Sequence, residues 1–102
     1  MKDIMLVCSA GMSTSLLVVK MEEAAANQNL DVNIFAVSES EASNHYDKIS
    51  VLLLGPQVRY LKGKLAKALA PMSIPVEVIN SMHYGTLNGE AVLKAALELI
   101  KE

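Results

Sequence analysis

Cys8 is the only cysteine of the chain. It closes the apolar run Ile4 to Val7 and opens a loop of small and hydroxyl residues, Ser9, Ala10, Gly11, Met12, Ser13, Thr14 and Ser15. A helical pattern follows at once. Strand, loop and helix in that order set a sulfur at the carboxyl end of a strand, beside the N–H groups of a helix start, which lack intrahelical partners. The helix dipole is positive there, so anions are favoured. The same field favours the thiolate, the nucleophilic form of cysteine. A nucleophile inside an anion cradle suggests a cysteine that carries a phosphoryl group. A lone cysteine at a strand end also serves as a small hydrophobe, and residue chemistry alone leaves both readings open. Burial, however, asks for no glycine among hydroxyls, whereas a loop wrapped round an oxyanion does. Ser13 is expected to cap the helix. Thr14, opening that helix, is expected to stand clear of the core.

Several other chemistries are excluded. Neither Gly-Lys-Ser/Thr nor G-x-G-x-x-G occurs, which removes the common nucleotide-binding loops. A single cysteine rules out Cys-x-x-Cys redox chemistry and fits a reducing compartment. Cys8, His45 and His83 fall on separate elements without ligand spacing, so neither metal nor cofactor is expected. A receiver domain needs acidic residues after strands one and three, where this chain has Cys8 and Gly55. Two anion-binding alternatives carry weight. An FMN- or phosphate-binding flavodoxin-like module would use Ser9 to Ser15 for the phosphate, with only Phe35, Tyr46, Tyr60 and Tyr84 as aromatic walls for a flavin. A low-molecular-weight tyrosine phosphatase would carry Cys-x5-Arg, but that arginine position is Thr14 here. Without a guanidinium fork the loop lacks a bidentate clamp on the transition state. Holding a phosphocysteine without hydrolysing it remains within its means.

The elements that must position Cys8 follow from patterning. With 102 residues, just over half of them apolar, residues 1–102 are expected to form a single domain. A net charge of −2 gives no reason to expect nucleic acid or an acidic membrane surface as partner. No run is long enough to cross a membrane, and no basic-then-apolar leader opens the chain. A cytoplasmic protein without direct membrane insertion is the expectation. Strands are expected at Asp3–Val7, Val32–Val37, Ile49–Leu54 and Val76–Ile79. A helix from Thr14 carries Leu17, Val18, Met21, Ala24, Ala25 and Gln28 on one face, and Asn29 is its stop. Ser38 and Glu41 read as a capping box for a short polar helix. Gln57–Ala70 reads as one helix with Val58, Leu61, Leu65 and Leu69 inward and Gly63 at its middle. Asn80–Gly89 reads as a loop, and Glu90–Lys101 as a last helix. Four strands alternating with helices imply an α/β fold, a four-stranded parallel sheet of flavodoxin-like order 2-1-3-4 with helices on both faces. Ligands in such sheets bind where the strand order reverses, at the carboxyl end of strand one. Cys8 stands there.

The run Val7-Cys8-Ser-Ala-Gly-Met-Ser-Thr-Ser15-Leu-Leu17 resembles the cysteine loop of the enzyme IIB proteins of the bacterial sugar phosphotransferase system, in particular the lactose/chitobiose (cellobiose) class. Val51-Leu-Leu-Leu-Gly-Pro-Gln57, Pro75-Val-Glu-Val-Ile79, Tyr84-Gly85, Asn88-Gly89 and Val92-Leu-Lys-Ala-Ala96 extend the likeness over essentially the whole chain. Asn88 stands where the family would have Asp. The resemblance implies a fold similar to low-molecular-weight tyrosine phosphatases and a phosphotransferase component. Cys8 would take phosphoryl from a phosphohistidine of enzyme IIA and pass it to a sugar in the membrane enzyme IIC. The implied sugar is a β-disaccharide such as cellobiose or chitobiose. The residues Ser9 to Ser15 would hold the phosphoryl oxygens, and Ala10 and Gly11 would let partners approach. Met12 is either a partner contact or a plain exposed methionine. Tyr84 is either a packed loop aromatic, the reading preferred, or part of the rim around Cys8. Arg59, Lys62, Lys64 and Lys67 form either a solvated face or a docking patch for an acidic partner.

Overall fold

The computed structural model describes residues 2–9 and 12–100. Four strands form one parallel sheet: β1 (Lys2–Cys8), β2 (Val32–Ser38), β3 (Val51–Leu54) and β4 (Val76–Val78). Their order is β2-β1-β3-β4, the flavodoxin-like order expected. The register sets Cys8 beside Ser38 and Val7 beside Leu54. Flanked on both edges and covered on both faces, Ile4 to Val7 are wholly buried. That is why the run is apolar at consecutive rather than alternate positions.

Two clusters lie on opposite faces of the sheet. On one, Ile4, Leu6, Val51 and Leu53 meet Leu17 and Met21 of α1 (Met12–Asn27) and Val92, Leu93 and Ala96 of α4 (Gly89–Leu99). On the other, Met5, Val7, Leu52 and Leu54 meet Val58, Leu61, Leu65 and Leu69. The period of two along each strand divides the residues between the faces. Gly89 lets α4 touch α1: a Cβ there would lie 2.4 Å from the Lys20 carbonyl carbon. Asn29, at φ 55°, takes the left-handed conformation just beyond α1, so its type did mark the stop.

The second face is less regular than its sequence suggests. Residues Pro56–Leu61 are 3₁₀, Lys62–Leu69 form α2, and Ala70–Met72 are 3₁₀ again, in place of one helix. The Val58 N–H bonds to the Gly55 carbonyl at 3.0 Å, and Val58 is non-helical at φ −117°. The cause is packing: Val58 and Leu61, three apart, are both buried, and three is the 3₁₀ period. Only from Leu61 through Leu65 to Leu69 do the buried positions step by four. Gly63 therefore sits at the second position of α2 and not at a helix middle. Ser38 and Glu41 form no capping box. The segment after β2, Glu39–His45, is 3₁₀, no side chain caps it, and Ser38 Oγ pairs with Ser40 Oγ at 3.1 Å. The loop after β4 contains a short helix, α3 (Ser81–Gly85). Asn80 Oδ1 caps it by accepting from the N–H groups of Met82 and His83 at 2.9 and 3.1 Å.

Candidate functional site

Cys8 ends the central strand and is only 2% exposed. Its Sγ lies 3.2 Å from Thr14 Oγ1, and Thr14 is 0% exposed. Cys8 is the last residue of β1 and Thr14 the third of α1, six positions on. A buried hydroxyl without a partner would cost of the order of 1–3 kcal/mol, and the sulfur supplies one. Once the sulfur is a thiolate it has no proton, so the Thr14 O–H must be the donor.

This placement overturns two expectations. Thr14 does not stand clear of the core; it is wholly buried against the sulfur. An arginine there, as in the phosphatases, would have to bring a guanidinium into a space closed to solvent. Ser13 is not the helix cap either. α1 begins at Met12, so Ser13 lies inside it. Ser9 and Ser15 are exposed. Ala10 and Gly11, and the side chains of Met12 and Ser13, lie outside the described residues. The first turn of α1 carries no acidic residue, so no carboxylate there opposes an anion at the helix start.

The connection after β3 completes the surroundings. The Gly55 N–H donates to the Val7 carbonyl at 2.9 Å, which ties the start of the Gly-Pro-Gln turn to β1. Gln57 Nε2 donates to the Tyr84 hydroxyl at 3.0 Å. The Tyr84 ring packs, partly buried, against the α1–α4 cluster, the reading preferred from sequence, and its hydroxyl meets the turn after β3. Gly55 and Gln57 were not singled out from residue chemistry. The signal available was a Gly-Pro-Gln at a strand's carboxyl end, next to the strand that carries the cysteine.

The four cations behind this turn do not act alike. All are exposed, but Lys62 Nζ is 2.7 Å from Glu77 Oε1 on β4. That hydrogen bond, ahead of the opposing desolvation, holds the Glu77 carboxyl below its usual pKa. His45 packs its ring on Phe35 with centroids 5.2 Å apart, and His83 lies in α3. Among the described residues no three His, Cys, Asp or Glu side chains converge as a metal site would require. None of the described helices is long and apolar enough to cross a membrane.

Comparisons with known proteins converge on one family. A family model described as "PTS system, Lactose/Cellobiose specific IIB subunit" matches residues 3–95. The chain is 46% identical over 104 residues to the PTS system cellobiose-specific EIIB component of Lactococcus lactis subsp. lactis, covering 97% of this chain and 96% of that protein. It is equally similar, at 46% and the same coverage, to the PTS system galactose-specific EIIB component of Lactococcus lactis subsp. cremoris. Among solved structures, the cellobiose-specific phosphotransferase IIB component of Borrelia burgdorferi superposes with a TM-score of 0.81 at 43% identity, covering 97% of this chain and 91% of that one.

Proposed function

The chain belongs to the lactose/cellobiose-specific IIB subunit family of the PTS system, and from that premise we propose that Cys8 is its phosphoryl carrier. In this reading residues 1–102 work as one cytoplasmic EIIB domain between a phosphorylated enzyme IIA and a membrane enzyme IIC. The sulfur attacks the phosphorus of the IIA phosphohistidine. The N–P bond breaks, an S–P bond forms, and the thiol proton ends on the released imidazole. In the second transfer a sugar hydroxyl oxygen attacks the same phosphorus. The S–P bond breaks, an O–P bond forms, and the hydroxyl proton is balanced by the thiol that returns.

The observation that carries this reading is the contact of Cys8 Sγ with Thr14 Oγ1 at 3.2 Å, at the carboxyl end of the central strand and the start of α1. Thr14 supports the thiolate by donating to it, and the helix start supports the phosphoryl oxygens. Ser9 to Ser15 form the phosphate-binding loop. The sugar is of the cellobiose type. The two relatives above have equal identity and differently named sugars, which fits a sugar choice made in enzyme IIC.

Incubation with phosphorylated enzyme IIA followed by mass spectrometry tests the reading. One phosphoryl group is expected, on Cys8, and Cys8→Ser should fold normally yet accept none. Label elsewhere, or undiminished label on the serine variant, would overturn the assignment.

A further inference from the structure

The Gln57 side chain folds back over Gly55. A Cβ on Gly55 would lie 2.8 Å from Gln57 Oε1 and 3.5 Å from the Cys8 Cβ. A side chain at position 55 would therefore crowd both the carboxamide and the cysteine, and would push the carboxamide away. From its other end the carboxamide is held by the Tyr84 hydroxyl at 3.0 Å, and the Tyr84 ring itself packs, partly buried, against the α1–α4 cluster. Gln57 is exposed, and ordering a long exposed side chain costs conformational entropy. The hold on Gln57 is thus specific and spans the carboxyl ends of β3 and β4, alongside Cys8.

We propose that Gln57 contacts the phosphoryl group carried on Cys8, and that Tyr84 is the positioning residue that keeps its carboxamide there. The inference rests on the phosphocysteine reading above. A carboxamide has donor N–H groups at one end and an acceptor oxygen at the other. Oε1 is the end toward Gly55 and Cys8 in the unphosphorylated protein, and a half-turn, with the Tyr84 hydroxyl then donating to Oε1, presents Nε2 to the phosphoryl oxygens. It offers a dipole and no charge. It can steady a doubly charged group whose transfer must stay reversible, without the fixed cation that drives hydrolysis in a phosphatase. It comes from the connection after β3, a different element from the start of α1. Together they hold the group from two elements instead of one.

The test uses the whole protein, labelled with ¹⁵N and phosphorylated by a phosphorylated enzyme IIA. The Gln57 side-chain amide signal, identified by its loss in Gln57→Ala, should shift on phosphorylation. The kinetic arm measures transfer from enzyme IIA to Cys8. Gln57→Ala should slow it about tenfold, the loss of one charge-assisted hydrogen bond. Gln57→Glu, of nearly the same shape, should slow it further by setting a carboxylate against the phosphoryl oxygens. Tyr84→Phe should slow it about threefold, and adding Tyr84→Phe to Gln57→Ala should change nothing, because Tyr84 acts through Gln57. An unmoved amide signal on protein whose Cys8 carries phosphate would overturn this inference alone. So would Ala and Glu variants of equal rate, or slowing by the two substitutions that simply multiplies. Wild-type protein that takes no phosphate on Cys8 would instead overturn the reading beneath it.

Discussion

The sheet is covered on one face by α1 and α4, of 16 and 11 residues, and on the other by short 3₁₀ pieces around α2. Both faces bury leucines completely, Leu17 and Leu93 to within 1% on the first and Leu69 on the second. Burial therefore does not distinguish them; connection to the sulfur does. α1 begins where the cysteine loop ends, so whatever fixes α1 also fixes Thr14 against Cys8. The second face reaches the site through the turn at Gly55 and through Ser38, which lies beside Cys8 in the register. It also leaves polar groups in half-buried settings. Tyr46, beside an open groove with Leu61 and Leu65, has its phenol pKa raised by burial and then by Glu39. Stability on this molecule is shared between the faces, while the geometry of the nucleophile is lodged mainly in one.

The sharpest way to break that distinction is a pair of equal cavities. Leu17→Ala and Leu69→Ala should each lower the unfolding free energy by about 2–5 kcal/mol, read by urea denaturation. At a temperature where both variants remain folded, only Leu17→Ala should also slow phosphoryl transfer to Cys8. Equal slowing in both would remove the difference between the faces. A smaller effect comes from overfilling the first face. Gly89→Ala forces a Cβ against the backbone at Lys20 and should cost about 1–3 kcal/mol, again with altered transfer at the far end of α1. If α4 simply shifts and transfer is unchanged, the coupling between α4 and the loop is weaker than the contact implies.

The smallest effect belongs to the second face. Glu77 has a folded-state pKa held below its usual value by the Lys62 hydrogen bond. Its contribution is therefore present above the unfolded-state pKa of about 4.5, and is lost as pH falls through the lower folded value. Both partners are nearly half exposed, so no more than about 1 kcal/mol is at stake. Glu77→Gln should flatten the acid limb of the stability profile and leave transfer at neutral pH unchanged. A change in transfer would tie this face to the site after all.

How much of this was legible in the sequence depends on whether the cause was local. The central strand was legible because burial on both faces leaves an unbroken apolar run. The sheet order followed from alternation of strands and helices, and the site from the place where that order reverses. The 3₁₀ turn after β3 was legible but overlooked: Val58 to Leu61 steps by three before Leu65 and Leu69 step by four. α3 was signalled too, by Asn80 in a capping position. The Ser38–Glu41 pair misled because a capping box presumes an α-helical first turn, and a 3₁₀ turn does not present it. Two features had no local signal. Thr14 is buried against the sulfur of Cys8, a contact that no periodicity encodes. Gln57 and Tyr84 meet across 27 residues, on connections after β3 and β4 that become neighbours only when those strands pair.

The order of strands has a consequence for biosynthesis. β1 is made first but lies between β2 and β3, with Ile4 pairing Ile34 on one side and Val51 on the other. At about 5–20 residues per second, a nascent chain holds its cysteine for seconds before β3 exists to close the second edge. Until then no Gly55 N–H can bind the Val7 carbonyl, and the strand bearing the thiol has an open flank. Parallel pairing over such separations is slow to nucleate. The setting of the thiol is thus completed only after β3 and Gly55 have been made, and a shorter nascent chain carries the thiol without it.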